Sequence, residues 1–138
     1  MPTGEIAPGR VLVVDDLENM CWILSKLLTE RGHLVRSAGS RASALRLLDD
    51  FDCQVAVVDY RLPDSNGIAL IDEMVARRPK LKAILMTSYG NVALRDQAAA
   101  KSVFYFDKPF ENDLMIATIE SCIQASQKMG DRPIEDIP

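Results

Sequence analysis

Short apolar runs recur five times along the chain and predict five β-strands. The runs at about residues 10–15, 54–58 and 83–86 are almost uninterrupted, which is typical of parallel strands buried on both faces. A similar run follows at about residues 103–106. The run at 34–37 is shorter and less apolar, as expected for a strand near the edge of a sheet.

Between these runs, apolar residues recur at three- and four-residue spacing, which predicts helices. The first helix is expected to end at Gly32, and Ser40 is expected to cap the second. A third helix is expected at about 66–77, and a weaker, alanine-rich one at about 91–100. In the first helix, the apolar residues at this spacing are Met20, Ile23, Leu24, Leu27 and Leu28. In the second helix, the inner face is expected to carry Ala44, Leu45, Leu47 and Leu48.

A last helix is expected to begin near Phe110 and to carry Leu114, Ala117 and Ile123. Five strands then alternate with five helices, and crossovers of this length force parallel pairing with right-handed connections. The predicted fold class is therefore α/β. The best match is a flavodoxin-like (βα)5 three-layer sandwich whose parallel sheet has the order 2-1-3-4-5.

The length of 138 residues fits one domain with enough core to fold alone. Residues 1–9 contain two Pro and two Gly and are expected to form a flexible leader. The folded domain is expected to cover residues 10–125. Residues 126–138 combine Gly and Pro with charged residues, and they are expected to be a tail or the start of a linker.

The net charge of −4 makes this domain a poor non-specific binder of nucleic acid, because such affinity rests largely on Lys and Arg. Any DNA contact is therefore expected from another domain or subunit. No apolar stretch approaches the roughly 20 residues of a membrane span, and the first residues lack the features of a signal peptide. Cys21, Cys53 and Cys122 match no disulfide or zinc pattern, so a cytoplasmic protein without membrane contact is expected.

Polar groups suited to one chemical task follow four of the predicted strands. Asp15 and Asp16 end the first, Asp59 ends the third, Thr87 lies just past the fourth, and Lys108 follows the fifth. Ligands of open parallel sheets bind beyond the carboxyl ends of the strands. The sequence therefore predicts a site with three carboxylates and one ammonium group.

That set of side chains suits a divalent cation and a phosphoryl group. Asp15, Asp16 and Asp59 supply the oxygen ligands that a hard cation such as Mg²⁺ (or Mn²⁺) prefers. Asp59 is the plausible nucleophile, because a carboxylate can accept a phosphoryl group as an acyl phosphate. Lys108 and Thr87 could contact the phosphoryl oxygens.

Each of these residues also has an ordinary structural explanation. Asp15 or Asp16 alone is about as well explained as the N-cap of the first helix. Asp59 alone is an ordinary turn residue, Thr87 alone a turn or cap hydroxyl, and Lys108 alone a solvated surface group. The combination favours a site, because four separate strand ends each carry a suitable group.

Four segments together resemble the receiver domain of two-component response regulators. They are Val-Val-Asp-Asp at 13–16, Asp-Tyr-Arg-Leu-Pro-Asp-Ser-Asn-Gly at 59–67, Met-Thr-Ser-Tyr-Gly at 86–90 and Lys-Pro-Phe at 108–110. The resemblance covers about residues 10–125. It implies a cytoplasmic signalling protein that accepts a phosphoryl group from the phosphohistidine of a sensor histidine kinase or phosphotransfer protein.

The resemblance also implies roles for individual residues. Asp59 would be the phosphoacceptor. Asp16, Asp59 and the backbone carbonyl of Arg61 would ligate Mg²⁺, and Asp15 would act mainly through a metal-bound water. Thr87 would be among the ligands of the phosphoryl oxygens.

Lys108 would be the other phosphoryl ligand, and the Lys108–Pro109 bond is expected to be cis. Tyr105 would be a switch residue that turns inward with Thr87, although an ordinary half-buried strand aromatic is the alternative. Phosphorylation would then change the surface of the fourth helix, fifth strand and fifth helix.

Arg61 and Tyr89 lie two residues beyond the phosphoacceptor and the threonine, respectively. We predict that they border the attacking water and tune the dephosphorylation rate. The protein is expected to catalyse only its own phosphorylation and slow dephosphorylation, so it is a signalling protein and not a turnover enzyme.

The 86–90 and 107–110 stretches resemble receivers of the nitrogen-regulation class of enhancer-binding transcription activators. An output domain or a downstream protein would then read the switch, and a homodimer through the switch surface is possible. Whether the chain is stand-alone or part of a longer regulator stays open. Two alternatives also remain: an interaction module that is never phosphorylated, and a phospho-aspartate hydrolase. The second fits poorly, because Asp59-Tyr60-Arg61 lacks the Asp-x-Asp element of such hydrolases.

Overall fold

The computed structural model describes residues 7–130, with side chains up to residue 127. Its main elements alternate strand and helix along the chain. They are β1 (Arg10–Val14), α1 (Glu18–Glu30), β2 (Leu34–Ala38), α2 (Arg41–Asp50), β3 (Val55–Asp59), α3 (Gly67–Arg77), β4 (Lys82–Thr87), α4 (Val92–Ala100), β5 (Phe104–Asp107) and α5 (Asn112–Gly130). A short antiparallel hairpin, Arg61–Leu62 with Ser65–Asn66, lies between β3 and α3.

The five main strands form one parallel sheet in the order β2-β1-β3-β4-β5. The predicted flavodoxin-like α/β fold is therefore confirmed. The register aligns the carboxyl ends of the central strands. Val14 pairs with Val58, and Asp59 pairs with Met86, so Asp15 follows β1 beside the last residue of β3.

Side chains of the central strands alternate between two hydrophobic cores, because successive residues of a strand point to opposite faces. Leu12 and Val58 lie in the core that contains residues of α2, α3 and α4. Val13 and Val57 lie in the core that contains residues of α1 and α5. Helices thus cover both faces, which accounts for the near-continuous apolar runs.

The predicted helices are confirmed, but not every apolar residue of their patterns faces the core: Ile23 of α1, for example, is 36% exposed. Ser40 caps α2 by accepting a hydrogen bond from the Ser43 N–H, and α1 ends just before Gly32, which has a positive φ of 92°. In α5, however, Leu114 is 58% exposed and Ala117 is also exposed. The residues of α5 that pack inward are instead Met115, Ile116, Ile119, Cys122 and Ile123.

Near both expected domain boundaries, the structure shows helical or hydrogen-bonded residues. Helix α5 continues to Gly130, past the expected end of the folded domain at 125. Gly9, expected in the leader, donates its N–H to His33 Nδ1 at 2.9 Å, and its carbonyl accepts from the Leu34 N–H. Residues 1–6 of the leader and 131–138 of the tail lie outside the described residues. Within the described part, no helix is long and apolar enough to cross a membrane.

Candidate functional site

The strand ends bring three carboxylates together, as expected from their positions in the sequence. One oxygen each from Asp15, Asp16 and Asp59 lies within 4.8 Å of the other two. Asp15 is 2% exposed and Asp59 is 7% exposed, whereas Asp16 faces solvent. Two acidic groups are therefore buried side by side, an arrangement that is costly without compensating charge.

Asp15 is positioned by one backbone and one side-chain hydrogen bond. Its N–H donates to the Ala38 carbonyl at 3.0 Å, which continues the ladder of β1 with β2. Its side-chain Oδ1 accepts from the Leu17 N–H at 3.0 Å, and Leu17, the N-cap residue of α1, makes no side-chain cap bond itself. Asp15 thus satisfies a donor at the start of α1 while its other oxygen points to the site.

Lys108 provides the compensating cation. Its Nζ lies 2.7 Å from Asp15 Oδ2 and 2.8 Å from Asp59 Oδ1, and its side chain is 8% exposed. Burial alone would lower the pKa of Lys108, but the hydrogen bonds to the two carboxylates outweigh it and raise that pKa. The ammonium group is therefore held charged between Asp15 and Asp59.

One ammonium does not balance three carboxylates. Burial raises the pKa of Asp59, and the Asp15 carboxylate adds to this effect, although the hydrogen bond from Lys108 opposes it. With Asp16 included, the cluster carries a formal charge of about −2 when ionised. A second cation would stabilise such a cluster.

Thr87 lies at the end of β4 and is 1% exposed. Its hydroxyl accepts a hydrogen bond from the Tyr89 N–H at 3.0 Å, and its carbonyl accepts from the Lys108 N–H at 2.8 Å. The backbone of Thr87 is thus joined to Lys108, while its side chain is bonded to the loop that follows β4.

The exposed side chains of Arg61 and Tyr89 stack on one another. The Arg61 guanidinium carbon lies 3.9 Å from the centroid of the Tyr89 ring, within the range of a cation–π contact. Tyr89 is 61% exposed. The two residues predicted to tune dephosphorylation therefore form one contact that joins the hairpin after β3 to the loop after β4.

Tyr105 contacts residues that the sequence did not indicate. Its hydroxyl donates to Asp107 Oδ1 at 2.9 Å, and Asp107 Oδ2 pairs with Arg95 of α4 at 3.1 Å. A Cβ added at Gly90 would overlap the Tyr105 hydroxyl, so Tyr105 packs directly on the loop after Thr87. The Tyr105 side chain thus links β5, α4 and this loop.

Two residues of the segment after β3 also shape the site. A Cβ at Gly67 would lie 2.6 Å from the Asp59 carbonyl oxygen, so only glycine lets α3 begin this close to the acidic end of β3. Asp64, at the tip of the hairpin, accepts from the N–H groups of Arg41 and Ala42. Both residues lie in the 59–67 segment that resembles the receiver family, but the sequence gave no sign of the Asp64 contacts.

The donor set fits a hard divalent cation. Carboxylate oxygens are the ligands that Mg²⁺ and Mn²⁺ prefer, and the neighbouring space is open to solvent on the Asp16 side. A cavity of about 660 Å³ adjoins the cluster and is lined by residues that include Asp15, Asp16 and Trp22. Trp22 is the only tryptophan of the chain, so its fluorescence can report on this site.

The most informative curated relatives are transcription regulators. DNA-binding transcriptional regulator NtrC of Proteus hauseri is 32% identical over 116 residues, which are 83% of this chain and 24% of that protein. The chain spans about a quarter of the length of the curated relatives it matches. The expected resemblance to the nitrogen-regulation class is therefore confirmed for this part of the protein.

Solved structures agree with this similarity. The beryllofluoride-activated NtrC4 receiver domain dimer matches with a TM-score of 0.79 at 30% identity, over 85% of this chain and 98% of that one. A response regulator protein from Burkholderia pseudomallei with a phosphorylated aspartic acid, calcium ion and citrate matches with a TM-score of 0.74 at 26% identity, over 90% and 75%. The family model of the response regulator receiver domain matches residues 11–120. The chain therefore belongs to the family of response regulator receiver domains.

Proposed function

We propose that this protein is a phosphorylation-driven signalling switch that accepts a phosphoryl group on Asp59 in an Mg²⁺-dependent reaction. One observation carries the proposal: Asp59 is buried at a strand end, 2.8 Å from the Lys108 ammonium group and beside two further carboxylates. The relative from Burkholderia pseudomallei, described with a phosphorylated aspartic acid and a calcium ion, supports the same chemistry.

The donor is the phosphohistidine of a sensor histidine kinase or phosphotransfer protein. An Asp59 carboxylate oxygen attacks the phosphorus atom and forms an acyl phosphate. The phosphorus–nitrogen bond breaks, and its electron pair returns to the imidazole nitrogen, which takes up a proton. Later attack by water on the phosphorus atom releases inorganic phosphate and restores the Asp59 carboxylate.

The cation would be held by the carboxylates of Asp16 and Asp59 and the backbone carbonyl of Arg61, with Asp15 acting mainly through a metal-bound water. When bound, Mg²⁺ (or Mn²⁺) offsets negative charge on the phosphoryl oxygens during transfer. Without a cation, the carboxylates repel an incoming phosphoryl group. The excess negative charge of these carboxylates would therefore make phosphorylation depend on the metal.

Lys108 contributes the second positive charge at the phosphoryl oxygens. Its ammonium group already contacts Asp59, so a phosphoryl group on Asp59 would lie within its reach. Thr87 would turn its hydroxyl away from the Tyr89 N–H and donate to another phosphoryl oxygen. This rearrangement of the loop after β4 is the proposed start of the switch.

Tyr105 would carry the change outward, because its hydroxyl packs on the Gly90 backbone. A shift of this loop displaces Tyr105 from Asp107 and thereby loosens the Arg95 pair of α4. The surface of α4, β5 and α5 would then be read by an output domain, a downstream protein or a second copy of the chain. The dimeric NtrC4 receiver supports the last of these.

Arg61 and Tyr89 would set the lifetime of the phosphorylated state. Their stacked side chains join the two loops that flank Asp59 and Thr87. We infer that the stack limits the approach of the attacking water. Breaking it would speed dephosphorylation.

Beryllofluoride, which imitates a phosphoryl group on a carboxylate, tests this function without a kinase. With Mg²⁺ present, it should change the Trp22 fluorescence of the wild-type protein and of Asp72→Asn, a control at an exposed carboxylate of α3 that pairs with Lys101. It should leave Asp59→Asn unchanged. An equal response of Asp59→Asn would contradict the proposal.

A further inference from the structure

Asp64 accepts hydrogen bonds from a helix to which it does not belong. Its Oδ1 accepts from the Arg41 N–H at 2.7 Å, and its Oδ2 accepts from the Ala42 N–H at 3.1 Å. Ser40 accepts from the Ser43 N–H. The first three N–H groups of α2, which have no partner within the helix, are therefore all satisfied by side chains. Two of the three bonds come from the hairpin after β3.

The hairpin that carries Asp64 also carries a proposed metal ligand. Arg61, whose backbone carbonyl is proposed to bind the cation, lies in the first strand of the hairpin and pairs with Asn66. Gly67 N–H donates to the Tyr60 carbonyl at 2.7 Å and closes the base of the hairpin. Asp64 connects its tip to α2.

The other end of this connection lies against the carboxylates of β1. The Ala38 carbonyl, just before α2, accepts from the Asp15 N–H at 3.0 Å. An added Cβ on Gly39 would be in ordinary contact, at 3.9 Å, with the Asp15 carbonyl oxygen and Asp16 Cα. The segment between β2 and α2 therefore packs on the backbone of Asp15 and Asp16.

We propose that Asp64 is a positioning residue for the divalent-cation site. By joining the hairpin to the start of α2, it sets the separation between the Arg61 carbonyl and the carboxylates of Asp15 and Asp16. Mg²⁺ demands near-octahedral ligand positions, so this separation affects its affinity. The inference rests on the proposed function, since it assumes that the cluster binds the cation.

The direct measurement is the dissociation constant of Mg²⁺. It is determined by titration with Trp22 fluorescence as the readout and repeated by calorimetry. Asp64→Ala removes both hydrogen bonds and should weaken Mg²⁺ binding about tenfold, the lower end of the range for residues that orient metal ligands. Asp64→Asn keeps one acceptor oxygen but places an NH2 donor where the second oxygen accepted, so it retains only one of the two hydrogen bonds. It should therefore weaken Mg²⁺ binding less than Asp64→Ala does, by about threefold.

A second pair of variants isolates one hydrogen bond without changing Asp64. Arg41→Pro removes the N–H that donates a hydrogen bond to Asp64 Oδ1, whereas Arg41→Ala keeps this N–H. Both variants lose the side-chain ion pair of Arg41 with Glu73. Proline suits the first position of a helix, and Ser40 before it is extended, with φ −154° and ψ 166°. Arg41→Pro should bind Mg²⁺ more weakly than Arg41→Ala by roughly threefold or more.

Asp72→Ala, which removes one exposed carboxylate elsewhere, controls for the loss of negative charge. Equal Mg²⁺ affinities of wild type and Asp64→Ala would overturn the proposal. Equal losses of Mg²⁺ affinity in Asp64→Ala, Asp64→Asn and Asp72→Ala would also overturn it, because the loss of one negative charge would then explain all three. The proposed function requires that wild type binds Mg²⁺ saturably and that Asp59→Asn abolishes this binding. If wild type shows no such binding, the proposed function fails together with this inference.

Discussion

The two sides of the site are built differently. On the β1 and β3 side, Asp15 and Asp59 are buried and bonded directly to Lys108 at 2.7 and 2.8 Å. On the β4 and β5 side, Thr87 bonds to its own loop and Tyr105 bonds to Asp107. None of the described hydrogen bonds joins either side chain to the acidic cluster.

In the proposed function, this difference separates phosphoryl-transfer chemistry from signalling. The first side, which we call the acidic side (Asp15, Asp16, Asp59 and Lys108), has its reacting groups in contact and an excess of negative charge. In the second, which we call the switch side (Thr87 and Tyr105), the polar side chains form hydrogen bonds away from the acidic cluster. They must rearrange before they can contact a phosphoryl group. Changes on the acidic side should therefore alter cation binding and phosphoryl transfer. Changes on the switch side should alter lifetime and output.

The largest effect is expected at Lys108. Lys108→Ala removes the cation nearest Asp59 and should slow phosphorylation by acetyl phosphate about 100-fold, as for loss of a group that stabilises transition-state charge. The same change should tighten Mg²⁺ binding by about tenfold, because the cluster gains one negative charge. Lys101→Ala, which removes an exposed lysine paired with Asp72, is the matched control and should change neither. Unaltered phosphorylation of Lys108→Ala would remove the distinction between the two sides.

Asp59→Asn should stabilise the protein when no divalent cation is present. Burial raises the pKa of Asp59, so its protonated carboxyl group stabilises the folded state at low pH. This stabilisation is lost as the pH rises through the raised pKa. The variant should therefore melt about 2–5 °C higher than wild type at neutral pH. The difference should shrink as pH falls into the range where the wild-type Asp59 is protonated. Thermal melts across pH, with Asp72→Asn as the control, check this.

Dephosphorylation should depend on Arg61 and Tyr89 as a pair. Because the two side chains stack, Arg61→Ala and Tyr89→Ala should each speed loss of the phosphoryl group by about threefold, and the double variant should add little more. The rates are measured by the decay of the phosphorylated mass. Mg²⁺ affinity should stay within about twofold of wild type in all three variants. Multiplicative rate increases would show that the residues act independently.

The smallest effect on the chemistry is expected at Gly90, where a substitution should change only the local structure. Gly90→Ala places a methyl group where the Tyr105 hydroxyl lies, so Tyr105 must move away from Asp107. Amide hydrogen exchange in α4 should increase, while Mg²⁺ affinity stays unchanged. Gly39→Ala, whose added Cβ has room, is the control. Unaltered exchange in α4 would mean that Tyr105 does not couple the loop to this helix.

The acidic side could be predicted from the sequence because parallel strands align their carboxyl ends. Once the apolar runs before Asp15 and Asp59 are taken as neighbouring strands, their proximity follows from strand register. Lys108 follows a third run in the same way. The cis Lys108–Pro109 bond, expected from the family resemblance, is also present.

The switch-side and hairpin contacts could not be predicted from the sequence. The contacts of Tyr105 with Asp107 and Arg95 depend on side-chain rotamers, and the hydrogen bond that Asp64 accepts from Arg41 joins residues of different elements. The inward face of α5 is a different case. The apolar residues at 115, 116, 119, 122 and 123 form a continuous helical face, so the sequence did contain the correct pattern.

The central claim is that Asp59 accepts a phosphoryl group in an Mg²⁺-dependent reaction. Intact mass after incubation with acetyl phosphate tests it most directly, on wild type and Asp59→Asn, with and without Mg²⁺. The account predicts a gain of one phosphoryl group, about 80 Da, only for wild type with Mg²⁺. An equal gain in Asp59→Asn, or none in folded wild type with Mg²⁺ and a panel of sensor kinases, would contradict it. The second result would favour an interaction module that works without phosphorylation.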